Sequence, residues 1–219
     1  MTDTLHTTAD RIRDWARDLG FQAVGITDTQ LEETGQRLHQ WLDQGLNADL
    51  SYMEAHGDKR YRPHKLVEGT QRIIAVRLDY RPEPDEPQAV LCDGEKAYIT
   101  RYSLGRDYHK LMRKRLAKLA KWIDEALPGY YHRAFVDSAP VMEKPIAVKA
   151  GLGWQGKHTL LLHPKAGSWF FLGEIYTSAP LPIDEPYPTD HCGSCTACLD
   201  VCPTNAFPEP YVLDAARCI

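Results

Sequence analysis

Apolar residues recur at helical spacing over residues 8–19, where Ile12, Trp15, Ala16 and Leu19 share one face. Thr7 or Thr8 is expected to cap that helix, and Gly20 to follow its last turn. The same period predicts a helix over residues 31–44, carrying Leu38, Trp41 and Leu42 and stopping near Gly45. The clearest helix covers residues 106–126, with Tyr108, Met112, Leu116, Leu119 and Ile123 in register ahead of Pro128 and Gly129. A further helix is expected over residues 140–150, opened by Pro140.

Strand patterns fall between these helices. They cover residues 21–26, 72–80 (with Ile73, Ile74, Ala75 and Val76 in succession), 96–102 and 132–136. Residues 159–162 and 169–176 predict a hairpin around 164–168. The stretch Arg-Pro-Glu-Pro-Asp-Glu-Pro at 81–87 resists regular structure and is expected as a surface loop. Strands alternating with helices predict an α/β protein, a mixed helix–sheet core over residues 1–178. A proline-rich linker follows over 179–190, then a cysteine segment over 191–219.

The chain has 219 residues, 43% of them hydrophobic, enough for one globular core with a small appendage. A formal charge of −4 argues against wholesale coating of nucleic acid, though not against a local basic face. No apolar run approaches the ~20 residues that span a bilayer. The first residues lack the basic and apolar regions of a signal peptide, so a cytoplasmic location is expected.

Cysteine usage changes the picture most. Five of the six cysteines lie between 192 and 218, and Cys92 stands apart. A cytosolic cluster of this kind points to metal rather than disulfides. Cys192, Cys195, Cys198 and Cys202 follow the spacing C-x2-C-x2-C-x3-C, with Pro203 next. That spacing wraps three thiolates around one 4Fe–4S cube and turns the fourth toward a second cube. Cys218 is the natural partner of Cys202. A zinc knuckle is the alternative, but it pairs C-x2-C with a distant C-x2-C or histidines. Two cubes need eight ligands and the segment provides five, so the chain is expected to be a truncated portion of a longer protein.

Asp137 follows the apolar strand at 132–136, where an open sheet presents its chemistry. Burial there would raise its carboxyl toward neutrality and keep a proton available; the alternative is an N-cap for the next helix. The loop Gly-Leu-Gly-Trp-Gln-Gly-Lys-His at 151–158 has dinucleotide-like spacing but follows helix, not strand, so a Rossmann reading fails its context. It could still cradle a polar cofactor edge. Residues 101–121 hold eight Lys or Arg against one Asp, either a solvated face or a phosphate-contacting one.

The segments at 101–109 (Arg-Tyr-Ser-Leu-Gly-Arg-Asp-Tyr-His), 136–141 (Val-Asp-Ser-Ala-Pro-Val) and 151–160, with residues 53–63 and the cysteine run, resemble the epoxyqueuosine reductase family, in order and across nearly the whole chain. The resemblance implies a cobalamin-binding core, two 4Fe–4S clusters and kinship with corrinoid reductive dehalogenases. It implies reduction of epoxyqueuosine to queuosine at the wobble position of tRNA, the last step of queuosine biosynthesis. Electrons would pass from the clusters to cobalamin, with Asp137 as proton donor. Arg60, Tyr102, Asp137, Lys157 and His158 would line the corrinoid, in a cavity beside Asp137 large enough for its ring. The partners implied are tRNA carrying epoxyqueuosine and an unidentified electron donor; the protein is expected to be a monomer without membrane contact. The family also continues with a second cysteine motif and a helical-repeat region that contacts tRNA. A reductive dehalogenase would be expected to carry an export signal, and a plain ferredoxin-type electron-transfer module would leave Asp137 and the glycine-rich loop without a task.

Overall fold

The computed structural model describes residues 2–80, 87–188 and 191–219. The loop expected at 81–87 lies outside the described residues apart from Pro87. In chain order the elements are α1 (Thr2–Asp18), β1 (Ala23–Thr27), α2 (Glu32–Asp43), α3 (Pro63–Leu66), β2 (Arg72–Asp79), α4 (Pro87–Leu91), α5 (Tyr108–Ala126), β3 (His132–Phe135), α6 (Glu143–Lys149), β4 (Trp154–Gln155), β5 (Leu161–Leu162), β6 (Phe170–Thr177) and α7 (Ala197–Asp200). Among the described residues no helix is long and apolar enough to cross a membrane.

A four-stranded sheet in the order β1-β2-β6-β3 forms the middle layer, and every pairing in it is antiparallel. The mixed helix–sheet class is as expected. Side chains of β2 alternate across the sheet: Ile74, Val76 and Leu78 pack with α1 and α5, whereas Ile73 and Ala75 pack with α6. Both faces are covered, which is why the strand reads as a continuous apolar run. On α5 the expected stripe is the buried one, with Met112, Leu116, Leu119 and Ile123 at 0% exposure. Each such side chain contributes about 1.5–3 kcal/mol on burial. The end of α6 lies so close to β1 that a Cβ on Gly25 would fall 1.9 Å from the Ala150 carbonyl oxygen. Only glycine fits there.

Several expectations are corrected. The first helix begins at Thr2, so Thr7 and Thr8 lie within it and Thr8 is buried rather than capping. Residues 96–102 form no strand; Lys96–Ile99 is exposed, and a 3-10 turn covers Arg101–Ser103. An alternating pattern becomes a strand only where a sheet offers an edge. The hairpin expected between 159–162 and 169–176 is absent. β5 pairs with β4, and β6 takes the centre of the sheet between β2 and β3, where both of its faces are covered.

The stretch expected as a linker is laid onto the body as far as it is described. Ala179 and Leu181 are fully buried, and Arg72 donates to the Leu181 carbonyl at 2.8 Å. Asp184 pairs with Arg13 and exchanges hydrogen bonds with the Ile26 main chain. The Tyr187 amide donates to the Val148 carbonyl at 3.1 Å. A chain so held is a strap across the β1 edge rather than a free connector.

Candidate active site

Asp137 sits two residues beyond β3 on a tight turn. Its main chain is left-handed, at φ +54°, and the Ser138 amide donates back to the Val136 carbonyl at 2.6 Å. The side chain is about half exposed. Its Oδ2 accepts from the Tyr108 hydroxyl at 2.7 Å and meets His109 Nε2 at 2.9 Å. Its amide donates to Glu143 Oε1 at 2.9 Å. The first turn of α5 is fixed in turn by Asp107, which caps the helix through the His109 amide and meets His109 Nδ1 at 3.1 Å. His109 therefore has a carboxyl at each ring nitrogen. Both contacts are satisfied together only when the ring is doubly protonated, or when one carboxyl carries the proton.

Two expectations for Asp137 are settled by this geometry. The N-cap alternative fails, because α6 starts at Glu143 with Met142 in the cap position. The expected rise of its carboxyl toward neutrality is also corrected. Burial does push it up, but the Tyr108 and His109 hydrogen bonds and the His109 charge prevail and hold it below the usual carboxylate range. Tyr108 moves the other way: burial and the Asp137 carboxylate raise its phenol.

A buried polar group lies next to this turn. Glu174 of β6 is opposite Phe135 and Ala75 in the sheet, facing α6 alongside Tyr176. It is fully buried, and neither its carboxyl oxygens nor the Tyr176 hydroxyl has a hydrogen-bond partner among the described residues. Burial and the neighbouring Glu143 push Glu174 well above the ordinary value, so it stays protonated. Burial pushes Glu143 itself up to about 7, with the Asp137 charge adding to the rise and the Asp137 amide opposing it. Burial lowers Lys144. Sequence reasoning missed this group. The signal was a lone Glu in the middle of Phe-Phe-Leu-Gly-Glu-Ile-Tyr-Thr, a run too apolar to tolerate a charge.

Aromatic rings extend from the same spot. Tyr108 stacks on Phe171 with ring centroids 3.9 Å apart and planes 4° apart, and Phe171 meets Tyr80 at 4.5 Å. Tyr80 meets Trp169 at 6.2 Å, and the Arg101 guanidinium lies 5.5 Å from the Trp169 ring. Tyr102 is exposed and close enough to Tyr80 and Tyr108 to raise both phenols. The result is an open aromatic shelf with Tyr98, Ile99 and Leu104 exposed nearby in the chain. Neither of the two cavities found among the described residues is lined by Asp137, beside which a cavity large enough for the corrin ring is expected. They measure about 390 and 330 Å³ and lie elsewhere, one against the strap and one against α2.

The other candidates are distributed differently. Arg60 is buried, and its guanidinium donates to the Met53 and Tyr52 carbonyls of its own segment. Lys157 reaches the cysteine segment, donating to the Gly193 and Cys195 carbonyls at 2.7 and 2.9 Å. His158 is half-buried near Lys144, and burial together with that charge lowers its imidazole. The loop they share needs its glycines, since a Cβ on Gly153 would meet the Leu162 carbonyl oxygen at 2.1 Å.

The cysteine segment is a turn at 192–195 leading into α7, with the Cys195 amide donating to the Cys192 carbonyl at 2.8 Å. All the cysteines are thiols rather than disulfides. The Cys202 sulfur accepts from the Ala206 amide at 3.3 Å, and the backbone donors around it lower the thiol. Cys218 is exposed one residue before Ile219. Among the described residues no three potential ligands converge tightly enough for a single metal ion. The donor set, soft thiolates supplied with amide protons, suits an iron–sulfur cube. The shelf suits a flat, largely apolar cofactor. It offers stacked ring faces.

A mixed helix–sheet body bearing an acid at a strand end, joined to a ferredoxin-type cysteine segment, defines an iron–sulfur oxidoreductase architecture. Residues 60–138 match the family described as epoxyqueuosine reductase QueG, DUF1730, and residues 191–219 match a 4Fe–4S double cluster binding domain. Epoxyqueuosine reductase from Pseudomonas aeruginosa is 56% identical over 211 residues, covering 96% of this chain and 58% of the relative. The Escherichia coli K12 protein of that name is 49% identical over 215 residues, covering 98% and 56%. Among solved structures, epoxyqueuosine reductase with an epoxyqueuosine-modified tRNA stem loop superposes with TM-score 0.84 at 27% identity, covering 98% of this chain and 56% of that one. The Bacillus subtilis enzyme, with an aspartate-bearing catalytic loop swung out of its active site, gives 0.84 at 28%, with the same coverage. A reductive dehalogenase described in terms of B12-dependent dehalogenation shares the fold at TM-score 0.60 and 18% identity, over 97% of this chain and 28% of that one. The chain is similar to epoxyqueuosine reductases over 96–98% of its own length. It spans somewhat more than half the length of the curated relatives it matches.

Proposed function

We propose that this protein reduces epoxyqueuosine to queuosine in the wobble position of tRNA, using cobalamin and two 4Fe–4S clusters, with Asp137 as the proton donor. The observation that carries the proposal is the Asp137 carboxyl, exposed at the rim of an aromatic shelf and within 2.9 Å of a histidine that can recharge it. Opening an epoxide places negative charge on oxygen, so a positioned acid lowers the barrier. In the free protein Asp137 is held ionised by its donors. A substrate covering its exposed side would remove water, raise its proton affinity and draw the proton across from His109. Tyr108 keeps the carboxyl oriented during that transfer. The reduction as a whole takes two electrons and two protons and releases the epoxide oxygen as water. Cobalamin, when bound, supplies the reducing centre, and the clusters supply its electrons.

Within this reading Cys192, Cys195 and Cys198 hold one cluster, and Cys202 and Cys218 contribute to the second. Tyr102 and His158 flank the corrinoid, whereas Arg60 and Lys157 support it indirectly through the segments they brace. Residues 1–178 with the strap form the catalytic body, and 191–219 the cluster segment. The tRNA approaches over α5, where Lys110, Arg113, Lys114, Lys118 and Lys121 are exposed and Arg113 donates to Ser138 Oγ beside Asp137. The protein works in the cytoplasm as a monomer, fed by a separate electron donor.

The test is anaerobic reconstitution of the whole protein with iron, sulfide and cobalamin, followed by turnover of an epoxyqueuosine-bearing stem loop. Asp137→Asn should lose at least about a hundredfold in turnover while keeping the corrinoid absorption spectrum. Undiminished turnover would remove Asp137 from the chemistry. Failure to bind any corrinoid would overturn the cofactor assignment.

A further inference from the structure

Asp137 is gripped twice, and only one grip involves its side chain. The carboxyl is held by Tyr108 and His109 from α5, while the amide is held by Glu143 from α6. Its left-handed backbone is one that residues with a Cβ rarely adopt. Aspartate enters that region more readily than most residues, and neighbouring contacts that fix its amide hold it there. Glu143 is well placed to do this. It is the first residue of α6, a helix anchored through Ile146 and Ala147 in the core, so its carboxyl rises from a rigid base.

We propose that Glu143 is the positioning residue of this site, acting through the main-chain N–H of Asp137 to keep the acid in the conformation from which it donates. The inference rests on the reading of Asp137 given above. The charged and titratable groups facing Glu143 are Asp137 on the turn, His109 and Tyr108 from α5, Lys144 on its own helix, and the protonated Glu174 and Tyr176 from β6. Of these, Asp137 raises its proton affinity, and Lys144 and His109 lower it. An ionised Glu143 makes a charge-assisted bond to the amide, and a protonated one a weaker bond. The grip on Asp137 therefore tightens as pH rises through about 7.

The experiment follows the Asp137 amide directly. The whole protein is labelled with nitrogen-15 aspartate, and the Asp137 amide resonance is recorded from pH 5.5 to 8.5. The wild type should show a titration centred near 7 that vanishes in Glu143→Gln, a variant that keeps an acceptor oxygen and the fold. Turnover in Glu143→Gln should fall about tenfold in kcat with little change in KM. In Glu143→Ala it should fall further, and exchange of the Asp137 amide with solvent should accelerate. An Asp137 amide that titrates identically in wild type and Glu143→Gln would overturn the proposal, as would an amide that does not titrate at all. If the amide behaves as expected but the wild type turns over no epoxyqueuosine, the functional reading fails and the positioning contact stands.

Discussion

The ammonium group of Lys157 donates to the carbonyl of Cys195 at 2.9 Å, and the carbonyl of the same lysine accepts from the Tyr211 amide at 2.8 Å. One residue of the glycine-rich loop thus ties both halves of the cysteine segment to the body. Further anchors lie at α2, where the Trp41 indole donates to the Leu213 carbonyl at 2.6 Å and the Ala215 amide donates to Leu46.

Lys157→Met should loosen that segment without unfolding the core. Two hydrogen bonds from a charged donor are lost at a partly solvated site, at a cost of about 1–2 kcal/mol together. Limited proteolysis should cut within 189–204 several-fold faster, while the main thermal transition moves little. Unchanged cleavage would show that the anchors at α2 suffice.

Tyr108→Phe should raise the proton affinity of Asp137, because one of the two side-chain hydrogen bonds that favour its ionised form is removed. The Asp137 carboxyl carbon resonance, followed by NMR, should titrate at higher pH in the variant. The linkage has a matching sign. A carboxyl lowered in the folded state adds stability above the ordinary value of about 3.9, and that stability fades as pH falls below it. The urea midpoint difference between wild type and variant should therefore be larger at pH 7 than at pH 3. Equal differences would mean the phenol bond does not favour the anion.

Glu174→Gln should make stability less dependent on pH. The folded protein holds Glu174 protonated far above its unfolded value, so this group favours folding fully below about 4.3 and progressively less as pH rises. The wild type should lose stability relative to the variant as pH rises above about 4.3, by at most about 1.4 kcal/mol per pH unit. Parallel stability curves would require a partner for Glu174 that neutralises its charge.

Much of the fold was legible along the chain because its strongest signals are periodic. The stripe on α5 and the apolar run in β2 each state which surfaces must be covered, and both are covered as the pattern demands. The misreadings share one cause. Residues 96–102, 159–162 and 169–176 carry strand-like patterns, and whether a pattern becomes a strand, and beside which neighbour, depends on edges supplied by distant parts of the chain. The proline-rich stretch misled for a related reason: its composition forbids regular structure but does not forbid burial, and Leu181 is fully buried.

The site divides along the same line. Sequence alone singled out the candidate ligands and the candidate acid: thiols at fixed local spacing and an aspartate following an apolar strand are properties of short segments, where neighbours in the chain are neighbours in space. Only the tertiary structure decided what Asp137 is, because its proton affinity, its left-handed backbone and its hold on the body come from Tyr108, His109 and Glu143, residues 29, 28 and 6 positions away. Electrostatic character depends on the partners within a few ångströms, and those partners are brought together by packing across the sheet rather than by order along the chain.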